Sequence, residues 1–568
     1  MAEAQTAPPA APANPPVKVH AAGIDRIWAK DKDSLGGIVE MQSPGAQFGS
    51  SAGVGDVDLD GNDDLLISAI NENDGSFNAV GRAYVFRGSP QQPLSADPRR
   101  LTPSVLDDGQ QMGQRALVVG HLGTTTAPLP ILVFVPSSDR DLVPASNDEV
   151  GALDAFRLTG QSGEELSVFP SGGLRPAPDP GTGQVNGKFF GNCIKLADLD
   201  GDGRRDLIVG ASRSEANEGR VYVYWSVHDP VNAPLGINFA NPLVTIIRRP
   251  QGFGYVPAKG DFGFWIDAGE FGDSTLGEEL IVAEPSWPND RTVNQDMFRR
   301  GLVYLFRGGT IPKPTVANPV IMVTPSPGSN APLQILTVSH FANVGKFKEN
   351  FGFYLWVMDW TGDGIQDLIV HGESTDWPGP VPPAAGGAGA LYLYKNIWGP
   401  QSGGNIVSVD ADKIVFSEDP QLNARFGKSV IRVEGWKDLT NPGSPVSKPA
   451  LIIGDSDAPY IPASGSPVLG CGQLELIFLD YLANPSLPFI TPAPASWRVP
   501  NTFMDDFGLV QGPERSEVFG RWLVQGNFNS LLPGPQFVAT SSDRDVPPPA
   551  GPPAKYTDAG GAAHVRQP

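Results

Sequence analysis

Cysteine, histidine and basic charge are all scarce in this 568-residue chain, and each scarcity closes a class of reading. Two cysteines cannot build the disulfide framework of a small secreted scaffold. Cys193 and Cys471 also fall far apart, so no bridge between them is expected. None of the six histidines sits in an HExxH pair and there is no CxxC, which removes common zinc-hydrolase and dithiol motifs. Lysine and arginine number 41 against 62 acids, a net charge of −21, with no basic run. Nucleic acid and anionic membrane surfaces are therefore not expected partners. No segment approaches the ~18 apolar residues of a membrane-spanning helix.

The opening MAEAQTAPPAAPANPPVKVHAAG lacks the apolar core of a signal peptide, and its Ala and Pro content reads as a disordered arm over residues 1–23. An exported chain whose signal has been removed would begin this way, which places it outside the cell, at a cell surface or in a periplasm. A virion component or a cytosolic protein would look the same.

What the chain does have is acid in clusters. VGDVDLDGNDDLLISA, from residue 54, spaces Asp56, Asp58, Asp60, Gly61 and Asp64 as a hard cation requires, with several oxygens on a tightly curved backbone. An EF-hand would need a bidentate Glu at loop position 12, where Ile67 stands, and a helix on each side. Glycines upstream and the β-permissive LLISA downstream predict instead a loop joining two strands.

The pattern recurs as KFFGNCIKLADLDGDGRRDLIVGAS at 188 and ENFGFYLWVMDWTGDGIQDLIVHGES at 349. Weaker copies carry Phe-Gly or Met-Gly, so that the glycine falls at 49, 113, 191, 263, 352, 427 and 520. Alternating segments such as GRAYVFRG, GRVYVYW and GLVYLFRG supply a third strand, and less regular ones such as NPLVTIIRR a fourth. Seven units of four antiparallel strands predict an all-β, seven-bladed β-propeller over residues 24–568, with blades starting near 48, 112, 190, 262, 351, 426 and 519. The last unit ends on the third-strand segment GGAAHVRQP, so residues around 24–44 are expected to complete that blade and close the ring.

The unit FG, strand, DxDxDGxxD, LLI strand resembles the FG-GAP repeat of integrin α-subunit propellers. That resemblance implies calcium in the acidic loops on the lower face and ligands on the upper face. Two to three structural Ca²⁺ ions would be held as follows. The first loop offers Asp56, Asp58, Asp60 and Asp64 with the Asn62 carbonyl; the second offers Asp198, Asp200, Asp202 and Asp206 with the Arg204 carbonyl. The third offers Asp359, Thr361, Asp363 and Asp367 with the Ile365 carbonyl, and the neutral Thr361 makes it the weakest. Solvated turns without metal are the alternative. In the fourth unit Glu270, Asp273 and Glu279 lack the spacing, and no metal is expected there.

The upper-face loops are long, acidic and dotted with aromatics, as protein or glycan sites are. Trp287, Trp377 and Asp376 are candidate ligand contacts. SSDRD occurs at 137–141 and again at 541–545, so Asp139 and Arg140 could face Asp543 and Arg544 around a shared ligand, or each pair could simply bond within its own loop. His371 near Glu373 and Asp376 has no second histidine at ligand spacing. The sequence thus reads as a non-enzymatic binding or adhesion module for a protein or glycan. Alternatives are a structural subunit of a surface or virion assembly, docked through the N-terminal arm, and a lyase or hydrolase using the upper central pocket.

Overall fold

A computed structural model describes residues 24–29 and most of 45–566. Among the segments outside the described residues are 1–23, 30–44, 142–148, 288–298, 338–348, 377–386, 398–410, 501–518 and 542–560. The expected N-terminal arm and Trp377, Cys471, Asp543 and Arg544 therefore lie outside the described residues.

The fold is an all-β propeller whose described strands form seven sheets. Each is a meander in which the first strand pairs antiparallel with the second and the second with the third, as in Phe190–Ala197, Asp206–Ala211 and Arg220–Tyr224. In the first five sheets the second and third strands are buried along their whole length, as Asp206–Ala211 and Arg220–Tyr224 are, because sheets pack on both faces; in the sixth, Val446–Asp455 starts exposed and is buried only from Ala450 on. This is why they read as continuous apolar runs such as DLIVGA rather than as strict alternation.

The uniform four-stranded blade is the expectation that the structure corrects. Three sheets carry a fifth, parallel strand: Glu164–Leu166 pairs with Arg99–Thr102, Val320–Val323 with Val244–Arg248, and Ile490–Pro492 with Lys413–Phe416. In each case the added strand follows the third strand of the next unit, so an even-numbered unit covers the open edge of the odd-numbered sheet before it. Pairing satisfies backbone groups that an edge strand would leave open. The second unit has only Val118–Gly120, Leu132–Ser137 and Ala152–Phe156 in its own sheet, so six sheets have four or more strands and one has three.

Phe-Gly recurs because it joins neighbouring sheets. The residue before it is left-handed in six units, Gln47, Gln111, Phe189, Asp261, Asn350 and Arg425, with φ between 48° and 64°. This turn aims two successive amides at two successive carbonyls of the preceding unit. Phe189 and Phe190 donate to Glu149 and Val150 at 3.0 and 3.1 Å, Asp261 and Phe262 to Asn217 and Glu218 at 3.2 Å each, and Asn350 and Phe351 to Arg299 and Arg300 at 2.8 and 2.9 Å. The glycine that opens each third strand must be glycine for the same reason: a Cβ on Gly219 would lie 1.9 Å from the Phe262 carbonyl oxygen. The Phe ring then packs edge-on against the third-strand Tyr, with centroids 5.4 Å apart for Phe190 and Tyr222, 5.4 Å for Phe262 and Tyr304, and 5.1 Å for Phe351 and Tyr392. Such a pair contributes about 0.5–1.5 kcal/mol beyond its buried area.

The ends of the chain meet as well. Ile24–Ala29 pairs antiparallel with Gly561–Arg566 in the last sheet. Between the last sheet and the first, the Asp63 amide donates to the Asn527 carbonyl at 2.9 Å and the Ser89 amide to Phe528 at 3.0 Å.

Candidate metal centre and upper-face loops

The three acidic loops have one conformation. The first acid accepts the amides four and five residues on: Asp56 those of Asp60 and Gly61 at 3.1 and 2.9 Å, Asp198 those of Asp202 and Gly203 at 3.1 and 2.8 Å, Asp359 those of Asp363 and Gly364 at 3.1 and 3.0 Å. The third acid accepts the amide two residues on: Asp60 from Asn62 at 2.8 Å, Asp202 from Arg204 and Asp363 from Ile365 at 2.9 Å each. Gly61, Gly203 and Gly364 take φ values of 82–88°, which allow so sharp a turn.

The last acid of each loop is buried. Asp64 accepts the amides of Val57 and Gly88 at 2.9 Å each, and Asp206 those of Leu199 at 3.3 Å and Ser226 at 2.8 Å. Asp367 accepts the Thr361 amide at 3.0 Å. These residues tie the loop to its own sheet. Burial raises the Asp64 carboxyl to about 7 against the pull of those two amides, with Asp58 and Asp56 adding repulsion, and it raises Asp206 well above the usual carboxylate range. Asp198 is raised by burial and by the charges of Asp202 and Asp200. In Asp359 burial is outweighed by the Gly364 and Gly362 amides and by Arg432, so its carboxyl is lowered.

A dication suits this donor set. Carboxylate oxygens of Asp56, Asp58 and Asp60 lie within 4.8 Å of one another, as do those of Asp198, Asp200 and Asp206. Asp359, Thr361, Asp363 and Asp367 form no such triad of acids, since Thr361 supplies only a hydroxyl, which is 3.3 Å from Asp359 Oδ1. In the fourth sheet Glu279 takes the place of the buried closing acid and accepts the Phe271 amide at 3.1 Å; among the described residues no acidic cluster stands in front of it, and Asp273 lies outside the described residues.

On the opposite face the predicted ligand contacts separate. Trp287 is 1 % exposed and part of the core, so it is not the exposed aromatic that a glycan would stack on. Arg140 is fully buried; it donates to Asp154 at 2.6 Å and Gln110 at 2.7 Å and ties its loop to its own sheet. Asp139 is half-buried, and burial together with the charge of Glu149 raises its carboxyl to about 6. Asp376 accepts the Gly387 amide at 2.7 Å and is also raised by burial. His371 is buried and neutral: Nε2 meets the Phe426 carbonyl at 3.1 Å, and burial, then Lys428, lower its pKa to about 3.

Two features escaped the sequence reading. Residues 49–53 read GSSAG, a G-x-S-x-G pentapeptide, but Ser51 is buried in the strand Phe48–Gly55 with its hydroxyl on the Gly113 carbonyl at 2.7 Å. It is a structural serine rather than an exposed elbow nucleophile. The other is an aromatic cluster at the ring's inner edge, where Trp265, Tyr354 and Trp522 come from three sheets and lie 4.8–6.2 Å apart, and Arg115 sits 4.9 Å over Phe264. A one-dimensional signal existed in the aromatic residues two or three places after Phe-Gly.

With this geometry in place, the comparisons decide the resemblance. The FG-GAP repeat family matches residues 195–224, the segment that contains the Asp198–Asp206 loop. This segment of the chain is similar to an FG-GAP repeat. Integrin alpha-IIb of Mus musculus is 34% identical over 169 residues, covering 29% of this chain and 15% of that protein; the Homo sapiens form is 33% identical over 182 residues, covering 31% and 15%. The phosphatidylinositol-glycan-specific phospholipase D of Homo sapiens is 24% identical over 417 residues, or 70% of this chain and 44% of that one. The chain thus spans less than half the length of each of these relatives. The phospholipase match overturns the expectation that the chain stands outside the enzymes, because a relative named for a catalytic activity aligns with most of it. Among the described residues no helix is long and apolar enough to cross a membrane.

Proposed function

We propose that this chain is a closed, seven-bladed propeller stabilised by calcium, which presents its upper-face loops to a protein or glycan outside the cell. The observation that carries the reading is the single conformation shared by the loops at 56–64, 198–206 and 359–367, with acids converging in the first two. Closure is supported by the amide bonds of Asp63 and Ser89 to the last sheet and by the pairing of Ile24–Ala29 with Gly561–Arg566. Asp56, Asp58 and Asp60 would hold one ion, and Asp198, Asp200 and Asp206, with Asp202, a second. Asp359, Asp363 and Thr361 would hold a third, weaker one. A bound dication would supply charge neutralisation, and the loops would supply the oxygens and fix their spacing.

The integrin relatives support a protein ligand and an extracellular setting. On the upper face the half-buried Asp139 and Asp376 remain as candidates, while burial of Trp287 and Arg140 gives those two structural work.

Thermal unfolding in millimolar Ca²⁺ and in excess chelator, with a count of bound metal, tests the reading. Two or three ions and a higher melting temperature in calcium are expected, since a ligand bound only by the folded state stabilises it. Asp200→Ala should lose most of its stability deficit once calcium is chelated. Equal melting temperatures for mutant and parent in calcium would refute the assignment.

A further inference from the structure

Resting on the calcium reading, we propose that Lys313, in the connection between Leu302–Phe306 of the fourth sheet and Val320–Val323, is a tethered counter-ion that lowers the metal affinity of the loop at 198–206 on the third sheet. Lys313 Nζ pairs with Asp200, lies 3.7 Å from Asp202 Oδ2, and sits 5.1 Å from the Trp225 ring centroid. Asp200 and Asp202 are two of the carboxylates that a dication would use. A fixed ammonium among them competes for the same oxygens and repels an arriving cation.

The lysine cannot easily withdraw, because its segment is locked to the third sheet. The Gly309 amide donates to the Leu199 carbonyl at 2.7 Å, and the Pro312 carbonyl accepts the Thr245 hydroxyl at 2.6 Å. Beside it the Glu278 amide donates to the Asp198 carbonyl at 2.7 Å, and the Glu278 carboxylate accepts the Asp198 amide at 2.6 Å. Backbones here are almost in contact: a Cβ on Gly277 would lie 2.7 Å from Gly201 N, and one on Gly308 would lie 2.0 Å from the Gly277 carbonyl oxygen. The side chain is about one-third exposed, so its charge is only partly screened.

The other two acidic loops face a base differently. Arg87, from the first sheet itself, reaches Asp58 at 3.1 Å. Arg432, from the sixth sheet, reaches Asp359 at 3.3 Å but is shared with Glu434 at 2.6 Å. Lys313 differs from both in setting a compact, strongly hydrated point charge between two ligand acids.

Calcium titration calorimetry on the full chain at low salt, with bound metal counted by mass spectrometry, tests this on the parent, Lys313→Met and Lys313→Arg. Lys313→Met should tighten one class of sites about tenfold, the scale expected for removing one unit charge near a dication at high effective dielectric. Lys313→Arg should leave it within about twofold, and Asp200→Asn in the Lys313→Met background should remove that class. Lys313→Gln serves as a second neutral variant if Lys313→Met does not fold. Calcium binding with unchanged affinity in the neutral variants overturns the counter-ion role and leaves the calcium reading standing. No calcium bound to any variant overturns the calcium reading and the counter-ion role with it.

Discussion

Gly219→Ala isolates what the repeated glycines do. Gly219 has φ +82°, and a Cβ there would meet the Phe262 carbonyl oxygen at 1.9 Å and its amide nitrogen at 2.6 Å. The left-handed backbone alone costs an alanine about 1–2 kcal/mol. The clash adds a second cost, because no side chain can move aside to relieve it. The two sheets must separate locally, which weakens the 3.2 Å bonds from Asp261 to Asn217 and from Phe262 to Glu218. Each such bond lost costs about 0.5–1.5 kcal/mol, so the total should reach about 2–5 kcal/mol. Gly181→Ala is the matched control: φ is +89°, but nothing lies within 4 Å of the new Cβ, so only the backbone cost of about 1–2 kcal/mol remains. Urea unfolding followed by tryptophan fluorescence should place the Gly219→Ala midpoint clearly below that of Gly181→Ala. Equal midpoints would refute the claim that these glycines are required by inter-sheet contact rather than by φ alone.

Acid sensitivity should trace partly to His371, whose pKa falls from an unfolded value of ~6.5 to about 3. The native state binds fewer protons in that window, so its contribution is complete above ~pH 6.5 and is lost as pH falls towards 3. The cationic Lys428 and Arg425 face the ring and strengthen the effect. His371→Leu should flatten the fall in melting temperature between pH 7 and pH 4, and an unchanged slope would count against a neutral buried imidazole. Glu349 works in the opposite sense. Burial, offset by Arg300, raises it to about 7, so the native state binds more protons between ~4.3 and 7 and stability is lost as pH rises through that range. Glu349→Gln should therefore gain melting temperature over the parent at pH 8 but not at pH 4.5; a constant difference would contradict the assignment.

The spacing of the units carries an alternation that the expectation of uniform four-stranded blades passed over. The glycines at 49, 113, 191, 263, 352, 427 and 520 leave longer intervals after even-numbered units than after odd ones. What those longer intervals contain was not visible. VIMV at 320–323 and ITP at 490–492 are too short to name their partners, and only the structure shows that they join the preceding sheet in parallel. In the same way, Trp287 in a polar loop read as an exposed aromatic, yet the chain turns it into the core. Arg140 in SSDRD was open to two readings, a site shared between two loops or bonds local to its own loop, and the structure places it on Ser137 of that loop and on Asp154, on the third strand of the same sheet.

By itself the sequence determined the repeat, the strand order within a unit and the composition of each acidic loop, because each depends on residues within about 25 positions of one another. Tertiary structure decided which sheet receives each outer strand, which side chains are buried, and that Lys313 stands on the acids of another unit, 113 residues from Asp200. Those outcomes depend on how curved sheets stack around an axis. That stacking brings together residues whose separation along the chain carries no local pattern.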